Sequence, residues 1–163
     1  MADLIAITMK INGEPVSATI EPRQTIADFL RSTMGLTGTH LGCEHGVCGA
    51  CTIRLNDVTV RGCLTFAVQC DGMAVETIEG ASESGRISDL QENFVSRNAL
   101  QCGFCTPGMV LSADELLADN ADPSREEIRE HLSGNYCRCT GYQSIIDAIE
   151  TTAKQRQERP GDE

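Results

Sequence analysis

The chain has no tryptophan, two tyrosines and four phenylalanines in 163 residues, so its core must rest on Ile, Val, Leu, Ala and Met. Positive charge is scarce as well: 13 Lys and Arg stand against 24 Asp and Glu, a formal net charge of −11. That balance argues against a nucleic-acid partner and against an anionic membrane surface, both of which reward basic patches. No stretch approaches the roughly 18 apolar residues of a transmembrane helix. The opening "MADLIAITMK" lacks a basic segment followed by an unbroken apolar run. Neither a secretory signal nor direct membrane insertion is therefore expected, and the chain reads as cytoplasmic. The sequence also lacks a flavin or nucleotide fingerprint, an acid–base constellation and a visible nucleophile, so no catalytic residue is assigned. What it has in excess is cysteine, nine in all. Without a secretory signal, that number points to metal binding or redox work rather than to a disulfide framework.

The first half reads as strands. Ile5, Ile7, Met9 and Ile11 alternate with other residues, Asn12-Gly13 signals a tight turn, and Val16, Ala18 and Ile20 alternate again. A helix is expected over 25–34, stopped by Gly35, with further strands over 52–55, 58–61 and 75–78 and a turn at Asn56-Asp57. The second half reads as helices. Ser88 with Gln91, and Ser124 with Glu127, have the spacing of capping boxes. Thr106-Pro107 supplies a cap and a first-turn proline, and a last helix from about Tyr142 carries Ile145, Ile146 and Ile149 on one face. These signals divide the chain into a domain at 1–79, a small, polar, glycine-bearing linker at 80–87, a four-helix domain at 88–155 and a frayed tail at 156–163.

Each half carries its own cysteine set. In "CEHGVCGAC", Cys43, Cys48 and Cys51 have the C-x4-C-x2-C spacing of plant-type [2Fe–2S] ferredoxins, with a fourth ligand further on. Glycines in this loop let the backbone curl around a cluster and aim N–H groups at its sulfurs. Cys63 and Cys70 both qualify as the fourth ligand. Cys63 is preferred because it follows a strand and a turn, while Cys70 reads as a buried small apolar residue. The second set is "CGFC", Cys102 and Cys105, with Cys137 and Cys139 of "NYCRCTGY". Both pairs precede helices, whose N-termini favour anions, so Cys137 and Cys139 are expected to be held as thiolates. Zinc and a second iron–sulfur cluster both fit this spacing. His45 reads as a solvent-facing loop residue, His131 as a helix C-terminal residue, and Arg138 as either a charge offset or a partner contact. Gln101 alone reads as an amide at a helix end.

The two sets in this order, with "LQCGFCTPGM" and "GNYCRCTGY", resemble the iron–sulfur subunit of the molybdenum hydroxylases, the xanthine dehydrogenase and aldehyde oxidoreductase superfamily in its multi-subunit form. The likeness spans about residues 3–153. It implies an α+β chain: an N-terminal β-grasp plant-type ferredoxin domain followed by an all-α four-helix domain, each holding one [2Fe–2S] cluster. By position it assigns Cys43, Cys48, Cys51 and Cys63 to the cluster nearer a flavin. It assigns Cys102, Cys105, Cys137 and Cys139 to the cluster nearer molybdenum, with Gln101 and Cys139 beside the pterin. It implies a large subunit with molybdopterin, as the cytosine dinucleotide, and a medium subunit with FAD, arranged as a dimer of heterotrimers. The function so implied is relay of single electrons from the molybdenum site to FAD. A free-standing single-cluster ferredoxin with structural zinc in the helical half is the alternative, and a zinc-binding regulatory module a further one. Segments such as "LTGTHLGC" and "FAVQCDG" are similar to the small chain of aerobic carbon monoxide dehydrogenase. Glu44-His45-Gly46-Val47 departs from the Ser-His pattern of that enzyme, which leaves N-heterocycles, purine-type alkaloids, aldehydes and acyl-CoA thioesters open as substrates.

Overall fold

The computed structural model describes residues 4–158. Strand β1 (Ile5–Ile11) pairs antiparallel with β2 (Glu14–Ile20) across Asn12 and Gly13, whose φ values are 51° and 87°. Two consecutive left-handed residues make the turn whose twist suits a hairpin. The same device recurs at Asn56 (φ 47°) and Asp57 (φ 68°), between β3 (Thr52–Leu55) and β4 (Val58–Arg61). Strand β5 (Ala74–Glu76) runs parallel to β1 and antiparallel to β3, giving the order β2-β1-β5-β3-β4 among the described residues. It ends before the expected Ile78 because the Thr77 N–H turns to donate to Asn12 Oδ1 at 2.9 Å.

Helix α1 (Ile26–Asp28) starts where Thr25 Oγ1 accepts the Asp28 N–H at 3.1 Å, then widens into a π turn over Phe29–Thr33. Phe29 and Leu30 are fully buried against Ile7, Ile53 and Val75. A helix grasped by a mixed five-stranded sheet is the β-grasp arrangement expected for the first half.

The stretch read as a linker is not free. Helix α2 (Ile78–Glu83) occupies much of it, starting at Thr77, which Asn12 binds, and burying Ala81 in the helical core. The remaining helices are α3 (Ser88–Ser96), α4 (Thr106–Asp119), α5 (Arg125–His131) and α6 (Gln143–Glu158). Their shared core includes Phe94, Met109, Leu111, Ile128, Ile145 and Ile149. The Ser124–Glu127 capping box is closed, with Glu127 N–H on Ser124 Oγ at 3.3 Å and Ser124 N–H on Glu127 Oε2 at 2.7 Å. The Ser88–Gln91 box is not. Ser88 is already helical, its N–H bonded to Gly85 O, and Gln91 Nε2 donates to Ser82 Oγ instead. Thr106 likewise is the first helical residue and Cys105 the cap position. The expected frayed tail is ordered over 156–158: Arg156 binds both carboxylate oxygens of Asp89, at 2.7 and 2.9 Å. The rest of that tail, 159–163, lies outside the described residues.

Charges join the halves. Arg54 of β3 and Arg86 both reach Asp114 of α4, at 3.5 and 2.6 Å, and Arg86 also pairs with Glu76 of β5 at 2.6 Å. Asp114 is nearly sealed from solvent, so losing one partner would leave a buried charge uncompensated. Among the described residues, no helix is long and apolar enough to cross a membrane.

Candidate functional site

The first thiol set sits on the loop between α1 and β3. Glu44 (φ 57°), Gly46 (φ 86°) and Gly49 (φ 74°) take the left-handed conformations that curl this loop. The Cys48 N–H thereby points at Cys43 Sγ, 3.3 Å away. Backbone N–H groups of His45 and Cys48 lower the Cys43 thiol to about 6. Cys51 and Cys63 are buried side by side with Ala27 and Leu41. Burial, with Cys63 as its neighbour, pushes Cys51 up to about 11. Cys70 lies in the separate core under α1, its thiol raised to about 11 by burial and directed at Phe66 O. His45 is exposed, with Nδ1 2.5 Å from Cys43 O.

The second set gathers at the N-terminal ends of α4 and α6. Cys102 and Cys139 are exposed, their sulfurs 3.6 Å apart, while Cys105 and Cys137 are half-buried. Helix ends do not decide the ionisation of this set. Burial and the neighbouring Cys137 push Cys105 up to about 12. Burial acts upward on Cys137 too, but the Thr140 hydroxyl and the N–H groups of Cys139 and Thr140 bring it below the ordinary thiol value. The Cys102 N–H pulls Cys139 down, yet the Cys102 thiol and burial together raise it. Relative to the ordinary thiol value, Cys137 is thus shifted toward the expected thiolate and Cys139 away from it. Like charges crowded around one space resist ionising together.

The sulfurs meet in pairs: Cys43 with Cys48, Cys51 with Cys63, Cys102 with Cys139, and Cys105 with Cys137. Among the described residues, no three thiols, imidazoles or carboxylates converge as a single four-coordinate ion requires, and no cysteine is in a disulfide. Two plus two sulfurs suit a two-iron core better than one zinc. A cationic core also supplies the charge that lets coordinating thiols ionise.

The two sets touch through the backbone. The Tyr136 N–H, one residue before Cys137, donates to Cys48 O at 2.9 Å. Asn135, almost completely buried, holds that crossing: its Nδ2 donates to Gly49 O at 3.4 Å, and its Oδ1 accepts from Arg61 Nη2 and Ser112 Oγ, both at 3.2 Å. Arg61 Nη2 also donates to Gly134 O at 2.8 Å. A second bridge is His40, whose ring stacks on Phe104 at 4.6 Å with Nδ1 2.7 Å from Phe104 O. Sequence reasoning missed Arg61, Asn135 and His40. Asn135 lay within a quoted motif, but nothing local tells that its partners are 74 and 86 residues away. Gln101 is exposed, its Nε2 donating to Cys139 O at 3.1 Å, and Arg138 is exposed between its two cysteines. Tyr142 holds φ 70°, an uncommon conformation for a bulky residue that costs about 1–3 kcal/mol.

A β-grasp unit and a helical unit, each bringing four of its cysteines together in pairs, define the class: an iron–sulfur protein of the 2Fe-2S type. Family models agree with each half: residues 9–81 match the 2Fe-2S iron-sulfur cluster binding domain, and 77–150 match the [2Fe-2S] binding domain. The chain is 51% identical to the nicotine 6-hydroxylase small subunit of Paenarthrobacter nicotinovorans, covering 91% of this chain and 89% of that one. It is 46% identical to caffeine dehydrogenase subunit gamma of Pseudomonas sp. (strain CBB1), over 90% of each. It also superposes on a chain of quinoline 2-oxidoreductase from Pseudomonas putida 86 with TM-score 0.90 and 50% identity, covering 96% and 98% of the two chains. The chain belongs to the small iron–sulfur subunits of the molybdenum hydroxylase superfamily, and so is the iron–sulfur subunit of an oxidoreductase.

Proposed function

We propose that the chain is a two-centre electron relay in a heteromeric molybdenum hydroxylase. Cys43, Cys48, Cys51 and Cys63 would hold one [2Fe–2S] cluster, on the unit 1–79, and Cys102, Cys105, Cys137 and Cys139 the other, on the unit 88–155. Each cluster, when bound, takes up and gives back a single electron. The observation that carries this reading is the 2.9 Å bond from Tyr136 N–H to Cys48 O. It leaves only covalent backbone and one hydrogen bond between a thiol of one set and a thiol of the other.

The exposed edge made by Cys102, Cys139 and Gln101 is the face for a large subunit carrying molybdopterin, as the cytosine dinucleotide. Gln101 spends one amide hydrogen on Cys139 O, which leaves the other and its Oε1 for the pterin. The first loop, with Glu44, His45 and Val47 exposed, is the face for a medium subunit carrying FAD. The assembly is a cytoplasmic dimer of heterotrimers. Its substrate is a nitrogen heterocycle, by analogy with relatives named for nicotine, caffeine and quinoline. The paired sulfurs, and the match of the second half to a [2Fe-2S] binding domain, weigh against structural zinc there.

Purification through a tag on this chain tests the reading. A large protein with molybdopterin and a medium one with FAD should follow it, and the complex should oxidise a panel member such as quinoline or nicotine. A chain that purifies alone and carries zinc in its second half refutes the proposal.

A further inference from the structure

We propose that Thr140 is a positioning residue for the second centre, its hydroxyl fixed as a hydrogen-bond donor to Cys137 Sγ so as to favour the reduced state of that centre alone. The inference rests on the two-cluster reading and adds to it a side chain outside the ligand set.

The geometry is closed on three sides. Thr140 Oγ1 lies 3.1 Å from Cys137 Sγ, and the Thr140 N–H points at the same sulfur from 3.4 Å. Tyr142 N–H donates to Thr140 Oγ1 at 3.2 Å. A hydroxyl has one proton to give, and here its acceptor side is already engaged by Tyr142. The proton is therefore directed to the sulfur. Tyr142 closes the ring, because its phenol oxygen accepts the Cys137 N–H at 2.9 Å. The left-handed backbone at Tyr142 (φ 70°) accompanies both contacts, the N–H turned back to Thr140 and the phenol oxygen brought to the Cys137 N–H. A bulky residue held in that conformation is over-determined by its surroundings, as strained residues at functional sites are.

The two thiol sets differ in this respect. Around Cys43 the donors are main-chain N–H groups and the thiol of Cys48, itself a candidate ligand, with no side chain from outside the ligand set. Among the described residues, Thr140 carries the one hydroxyl that donates to a candidate ligand sulfur. Hydrogen bonds to cluster sulfurs disperse negative charge, and reduction adds negative charge, so a donor raises the reduction potential. Position 140 thus sets the affinity of the second centre for an electron without touching the first. A purely local role, in which Thr140 only shapes the turn, would need its volume and its acceptor oxygen but not its proton.

The test is an EPR-monitored redox titration of the intact complex, comparing wild type with Thr140→Val, Thr140→Ala and Thr140→Ser. At the wild-type midpoint of the second centre, Thr140→Val and Thr140→Ala should lower its reduced-to-oxidised ratio about three- to tenfold. At 59 mV per tenfold for one electron, that is about 30 to 60 mV. Thr140→Ser should restore the wild-type ratio, and the first centre should not move in any variant. An unchanged ratio in both Val and Ala variants, a Ser variant that behaves like Val, or an equal shift of both centres overturns the assignment. Should the Val and Ala variants lose half their iron, the wild-type signal decides. A coupled exchangeable proton at the second centre beyond those of the Cys139 and Thr140 N–H groups, retained in Thr140→Ser, supports the donor, and its absence refutes it. A wild-type complex with only one paramagnetic centre instead sinks the underlying two-cluster reading, which the iron content reports separately.

Discussion

Gly108→Ala puts the contact between the two thiol sets under direct stress. Gly108 is the third residue of α4, and in an isolated helix a methyl there would stabilise by up to about 1 kcal/mol. In the folded chain that methyl carbon would stand 2.2 Å from Gly49 O and 3.3 Å from Gly49 C. The neighbour is backbone, so it cannot swing aside as a long side chain could. Restoring ordinary van der Waals separation requires the carbonyl to retreat by about 1 Å. It adjoins Cys48, whose own carbonyl receives the Tyr136 N–H. Overpacking of this kind costs about 1–3 kcal/mol. A 2.2 Å approach to backbone belongs at the upper end of that range, so after the helix gain the net loss is about 2 kcal/mol, which for a chain of this size is a fall in Tm of about 4–8 °C. Thermal unfolding of the iron-loaded chain measures it, and EPR of the reduced chain should show weaker magnetic interaction between the centres. A Tm equal to or above that of wild type, with the interaction intact, would refute the packing argument.

Cys63→Ser should lower iron from about four to about two atoms per chain, whereas Cys70→Ala should keep about four and cost about 1 kcal/mol of stability; elemental analysis and unfolding of both variants check this. Asp89 yields a pH dependence. Burial opposes its ionisation, but Arg156 outweighs that and holds its carboxyl below the ordinary value. A lowered folded value gives stability that is complete above the unfolded value of about 3.9 and is lost as pH falls through the folded one. The Tm gap between wild type and Asp89→Asn should therefore be full at neutral pH, correspond to about 1 kcal/mol for this part-buried pair, and close under acid.

What could be read in the sequence was what lies within a few residues. The Asn12-Gly13 and Asn56-Asp57 turns, the Ser124–Glu127 box and the C-x4-C-x2-C loop are each specified by local residue chemistry. Helix α2 escaped because it is six residues long, contains Gly80 and depends on the side chain of Asn12, far back in the chain. Ser88 and Thr106 carried cap chemistry that the preceding turns, through Gly85 and Gly103, made unnecessary. The candidate ligands were legible and their pairing was not, since it depends on how the loop at 43–51 meets β4 and how α4 meets the 137–139 turn. Arg61, Asn135 and His40, which tie the two sets together, gave no signal because their roles exist only across the domain contact. The opposite shifts of Cys137 and Cys139 were not legible for a related reason: helix ends are visible in sequence, and the crowding of sulfurs is not.

The central claim is that both thiol sets take up iron and lie within electronic reach of one another. Low-temperature EPR with spin quantification on the fully reduced chain, in its complex, tests this most directly. Two distinguishable signals are expected, integrating to about two spins per chain and split by mutual interaction. One signal integrating to about one spin, with zinc making up the metal content, would contradict it.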